Sequence, residues 1–135
     1  MPRAPFPACP GLNELGAVLG AVVALATQGC GSAATFGVDV NRYTCERQYE
    51  CAQGAFDEVY GDVGECRAEL DDLNGPIFAC EVESCVYDAS RARECLHDIQ
   101  SADCDEIVDG SAWAHCDDVF VDCDETALHD CIGAY

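Results

Sequence analysis

The chain has 135 residues with twelve cysteines, and 26 acidic residues against six arginines and no lysine give it a formal net charge of −20 at pH 7. This length predicts one domain, and the charge makes nucleic acid a very poor partner because phosphate binding needs a basic surface. Solubility is the simplest role of such a charge, and a basic protein partner, cation binding or adaptation to salt are the alternatives.

The first 29 residues have the pattern of an export signal. Arg3 and the amino terminus supply positive charge, and residues 15–26 contain only apolar side chains and glycine, as in the apolar region of a signal peptide. This stretch is shorter than the roughly 20 residues of a membrane-spanning helix, although a permanent transmembrane anchor is the alternative. We therefore predict a signal peptide at residues 1–29, and the residues at its end indicate its type.

The residues just before Cys30 indicate how this segment ends. Gly29 and Cys30, a small residue followed by a cysteine, resemble the lipobox of bacterial lipoproteins. Thr27 departs from that pattern, because leucine is usual three residues before the cysteine. In that family the cysteine becomes lipid-modified and then N-terminal. The resemblance implies that a lipid on Cys30 anchors the protein to the membrane, at the outer-membrane or periplasmic face of the cell envelope. Ordinary secretion is the alternative, because residues 24–26 and 32–34 offer the small-x-small cleavage pattern.

Ten cysteines follow Cys30, and we predict that all of them are paired in disulfides. An even number permits complete pairing in an oxidising compartment, although the sequence leaves the connectivity open. The nearest two, Cys80 and Cys85, are too far apart for the usual zinc knuckle, so we predict no metal and no other cofactor. The ten are Cys45, Cys51, Cys66, Cys80, Cys85, Cys95, Cys104, Cys116, Cys123 and Cys131.

Residues 30–40 are rich in small side chains and predict a short tether. As a flexible coil, the nine residues from 31 to 39 would reach about 15–18 Å, which would hold a lipidated domain close to the membrane surface. We expect the acidic, cysteine-rich helical domain to occupy residues 41–135.

The clearest predicted helix covers residues 89–100. Starting from Ala92, its apolar residues recur at i, i+3, i+4 and i+7, which is the spacing of one helical face. Asp88 or Ser90 can cap its start, because short polar side chains accept hydrogen bonds from the first free backbone N–H groups.

A second helix is predicted to begin after Asp62, which can cap it together with Glu65. Gly75 and Pro76 are expected to end this helix, because glycine terminates helices and proline cannot continue one. The composition of a strand is confined to residues 119–121, which are too few to build a sheet. Further short helices are predicted at 43–55, 77–84, 103–109, 114–121 and 125–132.

These elements predict an all-α fold: a small disulfide-rich domain of short linked helices, preceded by an N-terminal apolar signal helix. Helices this short are marginal alone, so we expect each to be pinned to a neighbour by disulfides that contribute about 2–4 kcal/mol apiece. The larger aromatic side chains are expected to fill the small core, and they are Trp113, Phe56, Phe78, Phe120 and the tyrosines.

Short motifs surround several of the cysteines, and they are Cys45-x5-Cys51, Phe56, Tyr60-Gly61, Glu65-Cys66, Ala92-Arg93-Glu94-Cys95-Leu96 and Ser101-Ala102-Asp103-Cys104-Asp105. Together they resemble the cysteine-rich lipoproteins of myxobacteria and their relatives over most of the chain after Asn41. The resemblance implies a location in the cell envelope and a structural or binding role, with no activity to carry over. A secreted cysteine-rich effector, such as an inhibitor or toxin, is the alternative.

The sequence offers little for catalysis, and we predict that the protein is not an enzyme. Its histidines are His97, His115 and His129, and a Cys–His nucleophile pair would need a thiolate that complete disulfide pairing does not leave. His115 is expected to lie on the surface near the disulfide of Cys116.

Two acidic stretches, 103–110 and 117–125, raise the question of calcium. Neither fits the D-x-[DN]-x-[DN]-G pattern with a distal glutamate that a calcium loop needs. Acidic side chains at helix starts are explained by capping and by the helix dipole, so specific calcium binding is the less favoured alternative.

Overall fold

The computed structural model of this chain describes residues 31–135, and 77% of these are helical. The disulfide-rich, all-α class predicted from the sequence is therefore confirmed for this part of the chain. The predicted signal peptide at 1–29 and the predicted lipidation at Cys30 lie outside the described residues. The elements are α1 (Ala33–Cys51), α2 (Gln53–Val59), α3 (Val63–Ser84), β1 (Val86–Tyr87), α4 (Ala89–Ser101), α5 (Cys104–Asp109), two 3₁₀ turns (Ser111–Trp113 and Cys116–Asp118), β2 (Phe120–Val121) and α6 (Glu125–Ile132).

The start of α1 shows that the tether predicted for residues 30–40, and the domain start at residue 41, are wrong. The helix begins at Ala33, and Phe36 and Val40 lie on its buried face, with Phe36 only 1% exposed. Gly37 faces the Phe78 ring of α3 so closely that a Cβ at this position would clash with the ring. The small residues that suggested a tether instead allow two helices to approach each other.

The long helix α3 corrects a second expectation, because it runs through Pro76 to Ser84 without a break. Its start is as predicted, since the Asp62 carboxylate accepts a hydrogen bond from the Glu65 backbone N–H at 2.9 Å. A proline inside a helix costs about 3 kcal/mol. Packing on both sides of the proline offsets this cost, because Cys66 and Cys80 are each 0% exposed.

Helix α4 is close to its predicted form. Asp88 caps it by accepting hydrogen bonds from the backbone N–H groups of Ser90 and Arg91 at 2.8 and 3.1 Å. These two bonds stabilise the ionised carboxylate and lower the pKa of Asp88 below its usual value, and the bond from the Arg91 N–H has the larger effect. The predicted face is buried at Ala92 and at the positions three and seven residues later.

The segment predicted as a helix at 114–121 contains a 3₁₀ turn followed by β2. β2 pairs with β1 in an antiparallel register in which Val86 faces Val121 and Tyr87 faces Phe120. A helix through residue 121 does not form because Phe120 and Val121 are extended and pair with β1. Helices α5 and α6, in contrast, form close to their predicted positions.

Five disulfides join the elements. Each bridge connects two segments that are distant in sequence, so each fixes one part of the fold against another. The pairs are Cys45–Cys66 between α1 and α3, Cys51–Cys104 between α1 and α5, Cys80–Cys131 between α3 and α6, Cys85–Cys123 beside the two strands, and Cys95–Cys116 between α4 and the second 3₁₀ turn.

The main core lies between α1, α4 and the chain around β2. Phe36, Ile99 and Val119 are almost completely buried in it. Trp113, Phe78, Phe120 and two tyrosines pack against this core while remaining partly exposed, and Phe56 fills a second cluster with Cys45 and Cys66. The expectation that these aromatic side chains fill the core holds for Trp113 and the three phenylalanines, but Tyr49 and Tyr135 are exposed. It also omitted Phe36.

Helix α5 begins with a capping box that offers a test of local stability. The Asp103 carboxylate accepts from the Glu106 backbone N–H at 3.0 Å, and the Glu106 carboxylate accepts from the Asp103 backbone N–H at 2.9 Å. We expect Asp103→Ala to lower the free energy of unfolding by about 1 kcal/mol, as measured by urea denaturation. Asp103→Asn is the matched control, because asparagine caps helices as well as aspartate does. Equal stabilities for the two variants would contradict the capping role.

Candidate functional site

A pocket of about 300 Å³ opens between α1, α3 and the chain from residue 113 to residue 120. Four aromatic side chains line it together with two carboxylates. The sequence analysis considered a Cys–His pair and calcium loops, and it did not predict this combination. The side chains are Phe36 from α1, Phe78 and Glu81 from α3, Trp113 and Asp117 from the 3₁₀ turns, and Phe120 from β2.

The aromatic walls are fixed by their own contacts. Phe36 meets the rings of Phe78 and Phe120 edge to face, with ring centroids 6.1 and 5.9 Å apart. Trp113 Nε1 donates a hydrogen bond to Thr44 Oγ1 at 3.0 Å, which holds the indole against α1. Such walls need little reordering when a ligand enters, which lowers the entropic cost of binding.

Asp117 is positioned by the disulfide next to it. Cys116 is bridged to Cys95, which is fully buried in the core on α4. The short 3₁₀ turn that carries Asp117 is therefore held at a fixed distance from α4. Because the turn has few backbone hydrogen bonds of its own, the bridge is what places this carboxylate at the pocket.

The ionised carboxylate of Glu81 is electrostatically unfavourable in this place. Burial, and then the negative charge of Asp117, raise the pKa of Glu81 above its ordinary value of 4.5. The ion pairs that arginines form within residues 31–135 go to Asp39, Glu50 and Glu94 instead. The pocket therefore combines apolar walls with negative charge that no arginine of the described residues neutralises.

The raised pKa of Glu81 has a consequence for stability that depends on pH. Since the folded protein holds this proton more tightly than the unfolded chain, stability falls as the pH rises through the window just above 4.5. We expect Glu81→Gln to stabilise the protein relative to wild type at pH 7 and to have little effect at pH 4. Urea denaturation at both pH values measures the difference.

Glu83→Gln is the control for that comparison, because Glu83 is an exposed glutamate on the same helix and its loss changes the net charge equally. The electrostatic interpretation would be contradicted if Glu81→Gln stabilised the protein equally at pH 4 and pH 7. It would also be contradicted if Glu81→Gln and Glu83→Gln changed the free energy of unfolding by the same amount at pH 7.

A second groove, of about 380 Å³, lies between α1 and α3 and is lined mainly by small apolar residues. Asn41 Nδ2 donates to Asp71 Oδ1 at 2.8 Å within the groove, and the carboxylate of Glu83 at its edge is exposed to solvent. This groove therefore offers shape without polar groups that need a partner, and the aromatic pocket is the stronger candidate.

The histidines lie outside the aromatic pocket, and among the cysteines of residues 31–135 only the disulfide-bonded Cys116 lines it. His115 is exposed and its Nδ1 lies 2.6 Å from Asp98 Oδ2, so it links the start of the second 3₁₀ turn to α4. His97 and His129 are also exposed. All ten cysteines from Cys45 to Cys131 are in disulfides, so none of them offers a thiolate for nucleophilic chemistry.

Several carboxylates of the two acidic stretches accept local hydrogen bonds. Besides the capping box of α5, Asp109 accepts from the Ser111 backbone N–H at 2.8 Å and Asp124 accepts from the Ala127 backbone N–H at 3.0 Å. The bond to the Ser111 backbone N–H is the main cause that lowers the pKa of Asp109. Within residues 31–135, no three His, Cys, Asp or Glu side chains come together as a potential metal site.

Comparisons with family models, with curated proteins and with solved structures find no match to this chain. Among the helices of residues 31–135, none has the length and apolar character needed to cross a membrane. The interpretation of the molecule therefore depends on its own residues and geometry.

Proposed function

We propose that this protein is an exported binding module of the bacterial cell envelope, anchored to the membrane by a lipid on Cys30. The observation that carries the proposal is the complete pairing of the ten cysteines from Cys45 to Cys131. Disulfides in this number persist in oxidising compartments outside the cytosol. The export pattern at residues 1–29, the lipobox resemblance and the resemblance to myxobacterial cysteine-rich lipoproteins point the same way.

Binding is favoured over catalysis because of what the pocket contains. Its walls are held by packing and by a disulfide, and the residues that line it include the carboxylates of Glu81 and Asp117 but no histidine, hydroxyl or free thiol. The net charge of −20 makes a basic protein the favoured partner and makes nucleic acid an unfavourable one.

The start of α1 sharpens the anchoring model. Helix α1 begins at Ala33, so a lipid on Cys30 would be separated from the folded domain by at most about 11 Å of extended chain. The domain would thus be held against the membrane surface rather than displayed on a spacer. A strongly acidic domain is repelled by anionic headgroups, so the lipid has to supply the attraction.

The mass of the mature, non-reduced protein tests this proposal. We expect a lipid-modified Cys30 at the amino terminus, a membrane-bound protein, and a mass that shows five disulfides. Cys30→Ala should abolish the modification and release the protein from the membrane fraction. Cys9→Ala is the matched control, because Cys9 lies in the segment that we propose is removed, and it should leave the mature protein unchanged.

An unmodified protein in the medium, beginning near residue 35, would contradict the anchored module and support the secreted effector instead. Free thiols or bound zinc in the intact mass would contradict the disulfide framework itself.

A further inference from the structure

We propose that the aromatic pocket binds an alkylammonium group, the cationic end of a small organic amine or of a lysine side chain. The inference rests on the proposed binding role, and it is independent of export and of the lipid on Cys30. It follows from three properties of the same cavity, which are its size, its aromatic walls and its charge.

The size of the pocket suits a small organic group. A volume of about 300 Å³ lies at the lower end of the range of small-molecule sites. A four-carbon chain with an ammonium end fits such a volume, whereas a folded partner could insert no more than one side chain. The pocket therefore selects the tip of a ligand rather than an extended surface.

The walls favour a cation. The negative faces of aromatic rings attract an ammonium group placed within about 6 Å, most strongly for tryptophan. Phe78, Trp113 and Phe120 are all partly exposed at the pocket, so their rings remain accessible. Phe36 is 1% exposed, and its part is to support these rings from beneath.

The charge selects the same class of ligand. Glu81 and Asp117 repel each other, and a cation between them would remove that repulsion and return the pKa of Glu81 toward its ordinary value. An ammonium group also supplies up to three N–H donors for carboxylate acceptors, in the strong charge-assisted form of the hydrogen bond. An anionic ligand would add to the repulsion, and a neutral apolar ligand would leave it in place.

A metal ion fits this pocket less well than an organic cation. Calcium requires six to eight oxygen ligands and magnesium a near-octahedral set. The pocket offers the carboxylates of Glu81 and Asp117 amid aromatic carbon. Aromatic carbon is a poor environment for a strongly hydrated ion and a good one for the alkyl chain of an amine.

Trp113 provides a direct probe because it is the single tryptophan of the chain. Butylammonium and Nα-acetyl-lysine amide would be titrated separately into the oxidised protein at physiological salt. We expect a saturable change in tryptophan fluorescence with at least one of them. Butanol, which has the same chain without the charge, should give no comparable saturation.

Two matched pairs of variants locate the site. Glu81→Gln and Asp117→Asn should each weaken binding by about tenfold or more, since a charge-assisted contact is lost. Glu83→Gln and Asp118→Asn remove the same charge outside the pocket and should retain wild-type affinity. Glu81→Gln is expected to fold at least as stably as wild type, so its loss of binding would not reflect unfolding.

The outcomes separate the two possible sources of the amine. Saturation by butylammonium alone indicates a free amine, and saturation by Nα-acetyl-lysine amide indicates the side chain of a basic partner; both support the pocket. The proposal is overturned if neither amine saturates, if butanol binds equally well, or if the Glu81 and Glu83 variants bind alike. None of these results depends on whether Cys30 carries a lipid, so this proposal and the anchoring model fail separately.

Discussion

Replacing Cys51 and Cys104 together with alanine is expected to lower the free energy of unfolding by about 4 kcal/mol. The bridge closes a loop with a sequence separation of 53, the longest of the five. In the chain-entropy description, its loss lets the unfolded chain explore many more conformations. Cys104 is exposed and Cys51 partly so, which means that the substitution leaves little cavity and that the effect reports mainly on the cross-link.

Urea denaturation of the oxidised double variant gives both quantities that test this expectation. The midpoint should fall, and the dependence of the unfolding free energy on urea should steepen, because a less constrained unfolded chain exposes more surface. Faster amide exchange in α5 is expected as well, since Cys51–Cys104 holds this short helix to α1. An unchanged midpoint and slope would show that the bridge adds nothing to the constraint from the other four.

The elements that could be predicted from sequence are those with local signals. Helix α4 has a capping aspartate and an apolar repeat within thirteen residues, and α6 occupies the predicted residues Glu125–Ile132. In both cases the capping side chain and the helix it caps are neighbours in the chain. No information from the rest of the molecule is needed to place them.

The long helix α3 shows where local signals fail. Gly75 and Pro76 favour a stop, and a peptide of this sequence would be expected to break there. In the folded protein the residues after the proline are held by Cys80, which is bridged to Cys131 on α6, and by Phe78, which packs against Phe36. Tertiary contacts therefore override the local preference.

The candidate site could not be found from sequence for a related reason. Its residues come from α1, α3, the two 3₁₀ turns and β2, and their meeting depends on the disulfide pairing. Ten cysteines permit hundreds of pairings, and the sequence does not distinguish among them. The available local signal was the spacing of Phe78 and Glu81, which places an aromatic ring and a carboxylate on one side of the same helix.

Phe36→Ala is expected to lower the free energy of unfolding by about 3–5 kcal/mol, although Phe36 lies in the segment that its composition marks as a tether. The side chain is 1% exposed and its ring contacts those of Phe78, Tyr87 and Phe120. Truncation removes these contacts and leaves a cavity that the cross-linked helices cannot easily close, because the disulfides restrict their movement. Urea denaturation of the oxidised variant measures the loss.

Val38→Ala on the same helix is the matched control, because Val38 is 48% exposed and its truncation should cost only about 0.5 kcal/mol. Phe36→Leu should fall between the two, since leucine fills part of the cavity and restores part of the apolar contact. A loss for Phe36→Ala no larger than that for Val38→Ala would mean that residues 33–40 do not belong to the core. In that case the pocket would lose the ring that supports its walls, and the amine-binding proposal would lose its geometric basis with it.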